Sequence, residues 1–389
     1  MRLILDSHLD IAWNALSFDR DQLQSIGNLR SAEAGMTGKG RGRCTVSLPE
    51  MRRTRVGACL GTILVRAIPE YLVNNDPTAS AIAHRGHGPI ILRENLDHSN
   101  QTIACAVAQG QLAYYRLLES SGHMRMIYSV EDLNAIWEMW ERGDTDAPIG
   151  NILSMEGCDP IIEPNQAEWW WQQGLRTACL AHYGASAYAF GTGGDGPLTS
   201  RGRELLREFQ RLGIILDLVH TADAAFWDAL DIYDGPVFVS HGNCRALAPH
   251  DRQISDQQIG ALVERNGILG VVLDIWMFGA GYDQQRPDNT NFPLTMLADH
   301  IDHICQLAGN ANHVAIGSDL DGGFGTEETP PEIDTIADLH KLEPLLSKRG
   351  YDDVEIDNIF HGNWLRFFRH HLPKEADSGL PSRNFQPKV

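Results

Sequence analysis

Eight apolar runs, alternating with helix-period patterns, constrain this chain more than any other feature. They lie near 2–7, 56–66, 148–156, 175–182, 214–220, 236–241, 268–274 and 313–319. Runs such as VGACLGTILVR and ILGVVLD are apolar almost without alternation, so both faces of the strand must be buried. Helical patterns fill the gaps at 99–120, 130–142, 199–212, 221–232, 255–266 and 292–308, with two more at 333–348 and 355–371. Strands buried on both faces and joined by helices read as a parallel sheet. Eight of them predict an α/β chain closed as a (β/α)8 TIM-type barrel with insertions and a C-terminal helix. An open doubly wound sheet is the alternative. The run MRMIYS at 124–129 is either an extra strand or a replacement for one of the eight, and 67–98 reads as loop. A single catalytic domain then covers 1–372, and 373–389 forms an irregular tail.

The carboxyl ends of these runs carry ionisable residues. The first run ends in DSHLDIAW, where His8 and Asp10 point the same way, roughly 7 Å apart along the strand. The third ends in Glu156, the fourth in His182, the fifth in His220, the sixth in His241 and the eighth in Asp319. Taken singly, each has a bland reading: a capping group, a satisfied polar residue, a turn. In a barrel, however, all strand ends open on one face, where active sites are built. Seven ionisable groups at six strand ends exceed what capping requires. Imidazoles and carboxylates are the ligands of Zn²⁺, and a carboxylate can bridge two ions about 3.5–4 Å apart. The grouping that follows places His8, Asp10 and Glu156 on one ion, with Glu156, His220 and His241 on the other. A bridging hydroxide would be the nucleophile, and Asp319 would carry its proton to the leaving amine. The stretch GSDLDGG (317–323) lacks the ligand spacing of an EF-hand calcium loop.

Composition excludes several classes. A formal net charge of −19 argues against non-specific binding to nucleic acid or to an anionic membrane. Seven scattered cysteines with no C-x-x-C pair fit a reducing compartment better than a disulfide framework. The N-terminal MRLILD has no apolar leader region, and no stretch approaches the ~20 apolar residues of a membrane span. A cytoplasmic location is the expectation.

DSHLD, SMEG, LAH, LDLVH, FVSHGN and IGSDLDG, in this order, resemble the motifs of the renal (membrane) dipeptidase family of zinc peptidases, within the amidohydrolase-type barrels. SLPEMRRTRVGACLGTI (47–63) and HGNWLRFF (361–368) extend the resemblance over most of 1–372. It implies a soluble, bacterial-type dipeptidase with two Zn²⁺ ions held by His8, Asp10, Glu156, His220 and His241. It further implies Asp319 as the catalytic carboxylate and His182 as the group that polarises the scissile carbonyl. Arg252, eleven residues past His241, would grip the substrate's terminal carboxylate, for which a guanidinium fork is suited. The family often accepts a D-residue at the C-terminal position. Two departures concern the pocket. YGASAYAFGTGGDG (183–196) stands where an Asn- and Pro-containing loop is expected, and a tyrosine expected after the seventh strand has no clear counterpart, with Trp276 nearby. An N-acyl-amino-acid amidohydrolase or a lactonase on the same two metals is the alternative. A degenerate barrel serving only as a scaffold would have lost ligands, and none is missing.

Other motifs read as structural. His84 and His87 lie in a polar loop without carboxylate partners, and His300 and His303 share a peripheral helix. The basic stretch GKGRGRC (38–44) lacks the K-[ST] of a P-loop and suits a loop at the barrel mouth. Trp169, Trp170 and Trp171 cannot all face one core, so one is free for a homodimer contact.

Overall fold

The structure, a computed structural model, describes residues 1–69, 96–283 and 288–375. Among these residues the strands are β1 Ile4–Leu9, β2 Val56–Leu64, β3 Arg66–Ala67, β4 Asp97–His98, β5 Met124–Met126, β6 Ile149–Glu156, β7 Leu175–Cys179, β8 Ile215–Asp217, β9 Val237–Phe238, β10 Leu269–Val271 and β11 Val314–Ile316. Each of the eight apolar runs coincides at least in part with a strand. Every residue of β1, β2, β6 and β7 is buried, as their lack of alternation requires. The chain divides into two compact units. One comprises Met1–Thr62, Trp140–Asp144 and Val237–Phe367; the other comprises Ile63–Met139, Thr145–Pro236 and the chain from Phe368 on.

In the first unit β1 pairs parallel with β2, and β10 pairs parallel with β11. Small residues let these backbones converge. Ser7 Oγ donates to the Ser240 carbonyl at 2.5 Å and lies 3.1 Å from the Ile316 carbonyl. A Cβ on Gly270 would sit 2.0 Å from the Ser240 carbonyl oxygen and 2.7 Å from Ser7 Oγ, and one on Gly317 would meet the same two atoms. The C-terminal signature acts from below. Asn358–Gly362 forms a π-turn that re-phases the helix running into Asn363–His371. Asn363 Nδ2 then donates to the Ala311 and Val314 carbonyls, and Trp364 Nε1 to Ile316. His300 is fully buried: Nδ1 accepts from the Cys244 amide and Nε2 donates to the Phe278 carbonyl. Burial pulls its pKa down to about 4, so it is a neutral core residue, while His303 pairs with Asp256 at 2.8 Å.

In the second unit the parallel order is β5, β6, β7, β8. Met124 stands opposite Ile149 at the start of β6, whereas Leu153 to Glu156 pair with β7. MRM is therefore an additional strand and displaces none of the eight. The helix Ser200–Leu212 begins where Thr199 accepts from the Gly202 amide and ends at Gly213 with φ 73°. Trp170 is buried and Trp169 is 41% exposed, as three consecutive indoles on one short helix must arrange themselves. The chain after the last helix is tied by the Val130 amide to the Pro373 carbonyl and by the Glu375 amide to Glu131. The remainder of the tail, and His84 and His87, lie outside the described residues.

Gly270→Ala should cost about 1–3 kcal/mol through overpacking, lowering the thermal midpoint by several degrees. Gly260→Ala, in a helix where nothing lies within 4 Å of the added carbon, should leave the midpoint unchanged or raise it. Differential scanning calorimetry of the two variants checks this.

Candidate active site

The end of β1 is set by a buried carboxylate that the sequence reading passed over. Asp6 Oδ1 accepts from the His8 amide at 3.2 Å and the Ser318 amide at 2.9 Å, fixing the end of β1 against the segment after β11. Burial pushes its carboxyl above the ordinary range. From this anchor His8 and Asp10 reach one locus with His241 and Asp319. His8 Nε2 lies 3.8 Å from Asp10 Oδ2 and 3.7 Å from Asp319 Oδ1, and His241 Nε2 lies 3.8 Å from Asp319 Oδ2. The ligand atoms of His8, His241 and Asp319 all fall within 4.8 Å of one another. These separations are too long for hydrogen bonds. Two ligands of a tetrahedral Zn²⁺, each about 2.1 Å from the ion, stand about 3.4 Å apart, so the donor set fits a cation.

Local backbone and hydroxyl groups aim these side chains. Asp319 holds φ 56°, a left-handed conformation that aspartate tolerates and that re-aims the strand end. Gly322 is obligatory beside it, since a Cβ there would sit 1.8 Å from Asp319 Oδ1. Thr62 Oγ1 donates to Asp10 Oδ1, and Ser240 Oγ lies 3.0 Å from His241 Nδ1. Asp321, the second aspartate of GSDLDGG, faces the chain: it accepts from the Thr45 amide and hydroxyl and the Val46 amide. The glycine-rich stretch 38–44 likewise serves protein carboxylates, with Gly40 N donating to Glu327 and Gly42 N to Glu33.

Arg252 belongs to the same unit and is 3% exposed. Its Nη2 donates to the His241 carbonyl at 3.1 Å, while Nη1 is buried without a hydrogen-bond partner. A guanidinium with one buried arm unsatisfied is prepared for an anion, because an orphaned charged donor is costly. The Arg252 amide donates to His250 Nδ1, and the His250 ring stands edge-on to Trp276 at 4.8 Å.

In the second unit Glu156, His182 and His220 come together from the ends of β6, β7 and β8. His220 Nε2 lies 3.2 Å from Glu156 Oε1 and His182 Nε2 lies 3.7 Å from it, with the two rings 4.3 Å apart. His220 also takes a left-handed φ of 55°. The segment 183–196, of unexpected composition, proves to be a small hairpin with antiparallel bridges Ala185–Phe190 and Ala189–Leu198. It returns so closely that a Cβ on Gly191 would lie 1.8 Å from the His182 carbonyl oxygen. Its Thr192 places Oγ1 2.9 Å from His220 Nδ1, and Tyr183 packs its ring near both histidines. Thr192, Thr62 and Ser240 are residues sequence reasoning missed. A hydroxyl neighbouring a strand-end histidine was the available signal for Ser240 alone.

Comparison with known proteins follows the same lines. A family model described as membrane dipeptidase, peptidase family M19, matches residues 2–377. An uncharacterised protein from the pqqA 5′ region of Klebsiella pneumoniae is 30% identical over 275 residues, covering 67% of this chain and 94% of that protein. Dipeptidase tcpJ of Claviceps purpurea is 28% identical over 257 residues, 64% of this chain, and the chain spans only 56% of it. A metallopeptidase from Rhodobacter sphaeroides, solved with a phosphinate mimic of the dipeptide L-Ala-D-Ala, has a TM-score of 0.72 at 21% identity, covering 95% of this chain and 99% of that one. That likeness, with the parallel strands of each unit, makes the fold an α/β barrel of the TIM type. By a match that runs from residue 2 to residue 377, this chain belongs to the membrane dipeptidase family, peptidase family M19.

Proposed function

We propose that the protein is a zinc-dependent dipeptidase that hydrolyses the amide bond of a dipeptide. The observation that carries this reading is the cation-sized spacing of His8 with Asp10 and of Glu156 with His220, with His241 and Asp319 beside His8, in a member of a dipeptidase family. In this reading a single catalytic domain covers 1–372. His8, Asp10 and Glu156 would hold one Zn²⁺, and Glu156, His220 and His241 would hold the second. The donor chemistry fits, since each histidine offers Nε2 at the site and two of them have a hydroxyl at Nδ1 to fix the tautomer. Bound zinc would acidify water to supply hydroxide at neutral pH and would polarise the scissile carbonyl. Asp319 takes the proton from the attacking water and returns it to the leaving amine. His182 donates toward the carbonyl oxygen as it becomes negative. Arg252 grips the substrate carboxylate through its unsatisfied Nη1.

The Rhodobacter metallopeptidase holds a mimic of L-Ala-D-Ala, which supports acceptance of a D-residue at the C-terminal position here. An N-acyl-amino-acid amidohydrolase would use the same groups; a lactonase would have no use for Arg252. No helix among the described residues is long and apolar enough to cross a membrane. All seven cysteines are unpaired, in keeping with a reducing cytoplasmic compartment. Exposed Trp169 is the candidate contact of a homodimer.

Elemental analysis should find two zinc ions per chain, with cleavage of L-Xaa-L-Xaa and L-Xaa-D-Xaa dipeptides lost on chelation and restored by Zn²⁺. No metal even after reloading overturns the reading, and metal with cleavage of N-acyl amino acids alone moves it to the amidohydrolase. Asp319→Asn should lower kcat about 10²–10⁴-fold while retaining metal and leaving KM nearly unchanged in steady-state assays. Thr192→Val should weaken zinc about 10–100-fold in competition with a chromogenic chelator.

A further inference from the structure

Beyond the end of β10 the first unit holds a second group of buried charges. Asp274 is 7% exposed. Its Oδ2 accepts from Trp276 Nε1 at 2.6 Å, while Oδ1 is buried without a hydrogen-bond partner. Glu328 is 2% exposed and its carboxylate pairs with Lys39, whose side chain is half exposed. The Ile275 amide donates to the Glu328 carbonyl, which locks the two segments together. Glu327 adds a third carboxylate, accepting from the Gly40 amide, with the exposed Arg43 3.9 Å away. Among the described residues, carboxylates thus outnumber buried cations here. Burial first, and Glu328 next, push the Asp274 carboxyl well above its ordinary range.

The position of this group relative to the reaction is given by two contacts. The Leu273 amide donates to the Ser318 carbonyl, so Asp274 and Asp319 each follow directly on one hydrogen-bonded pair. Trp276, which holds Asp274, meets His250, and His250 accepts from the Arg252 amide. Asp274 is thus linked through Trp276 and His250 to the segment that carries Arg252, and through Leu273 and Ser318 to the segment that carries Asp319.

We propose that Asp274, backed by Glu328, is a specificity subsite for a cationic side chain on the C-terminal residue of the dipeptide, a lysine-like ammonium group. This rests on the dipeptidase reading and on Arg252 as carboxylate anchor. An ammonium supplies donors to Oδ1 and a second positive charge beside Lys39, in a place where water is excluded. A neutral side chain of equal length leaves both wants unmet.

The test compares kcat/KM for L-Ala-L-Lys and L-Ala-L-norleucine in wild type and in Asp274→Asn, a change that keeps an acceptor for Trp276. The wild type should prefer lysine roughly tenfold or more, and the variant should lose that preference. A ratio near one in the wild type overturns the proposal. So does a ratio that Asp274→Asn leaves intact, including the case where both substrates slow equally because the carboxylate meets the α-amino group instead. Calorimetric binding of free L-lysine against L-norleucine to the zinc-loaded wild type reads the subsite without turnover, and equal affinities also overturn it. Failure to cleave either dipeptide would count against the dipeptidase reading, while calorimetry still decides the subsite.

Discussion

The convergence of buried imidazoles and carboxylates at strand ends is the constraint on which the rest of this structure depends. His8 and His241 are 1% exposed and Asp10 is 2% exposed, with Asp319 alongside at 3.7–3.8 Å. Gathering such groups out of water is unfavourable unless a cation repays their desolvation. The surroundings therefore have to hold each side chain in one orientation. Asp6, Thr62 and Ser240 do so in the first unit, and Thr192 does so for His220 in the second. Left-handed backbone at Asp319 and His220 belongs to the same pattern, since strained conformations persist only where the surroundings over-determine them.

Close backbone approach beneath the site follows from it. Gly270 and Gly317 carry no side chain because the Ser240 carbonyl oxygen and the Ser7 hydroxyl oxygen occupy the space where their Cβ atoms would lie. Large residues at these positions would separate β1, β10 and β11, and with them His8 and Asp319. The helix signature HGNWLRFF then has a physical role: Asn363 and Trp364 satisfy carbonyls of and beside β11. Site and scaffold are thus one set of constraints read at two levels.

Much of this was legible in the chain. Continuous apolar runs can only be strands buried on both faces, and their lengths left room for little else. The strand-end residues were legible because period-2 alternation places His8 and Asp10 on one side, and because each remaining candidate ends its own run. The role of His182, and Arg252 altogether, were legible only through resemblance to a family, since neither spacing nor polarity distinguishes Arg252 from an ordinary surface residue. The barrel's extra strand at Met124–Met126 could not be sorted from the eight without its partner, Ile149–Asn151. Thr192 was invisible: it lies ten residues past His182 in a loop whose return path is set by Gly191.

By itself, then, the sequence determined the alternation of buried strand and helix and the identity of the ionisable residues at the strand ends, because periodicity and hydrophobicity are local properties. Only the tertiary structure decided which hydroxyl meets which imidazole, that Asp321 faces Thr45 and Val46, and that Asp274, Glu328 and Lys39 share one locus. Those pairings join residues as far apart as 289 positions in the chain, as between Lys39 and Glu328, and no local pattern encodes a contact that forms only when distant strand ends are packed side by side.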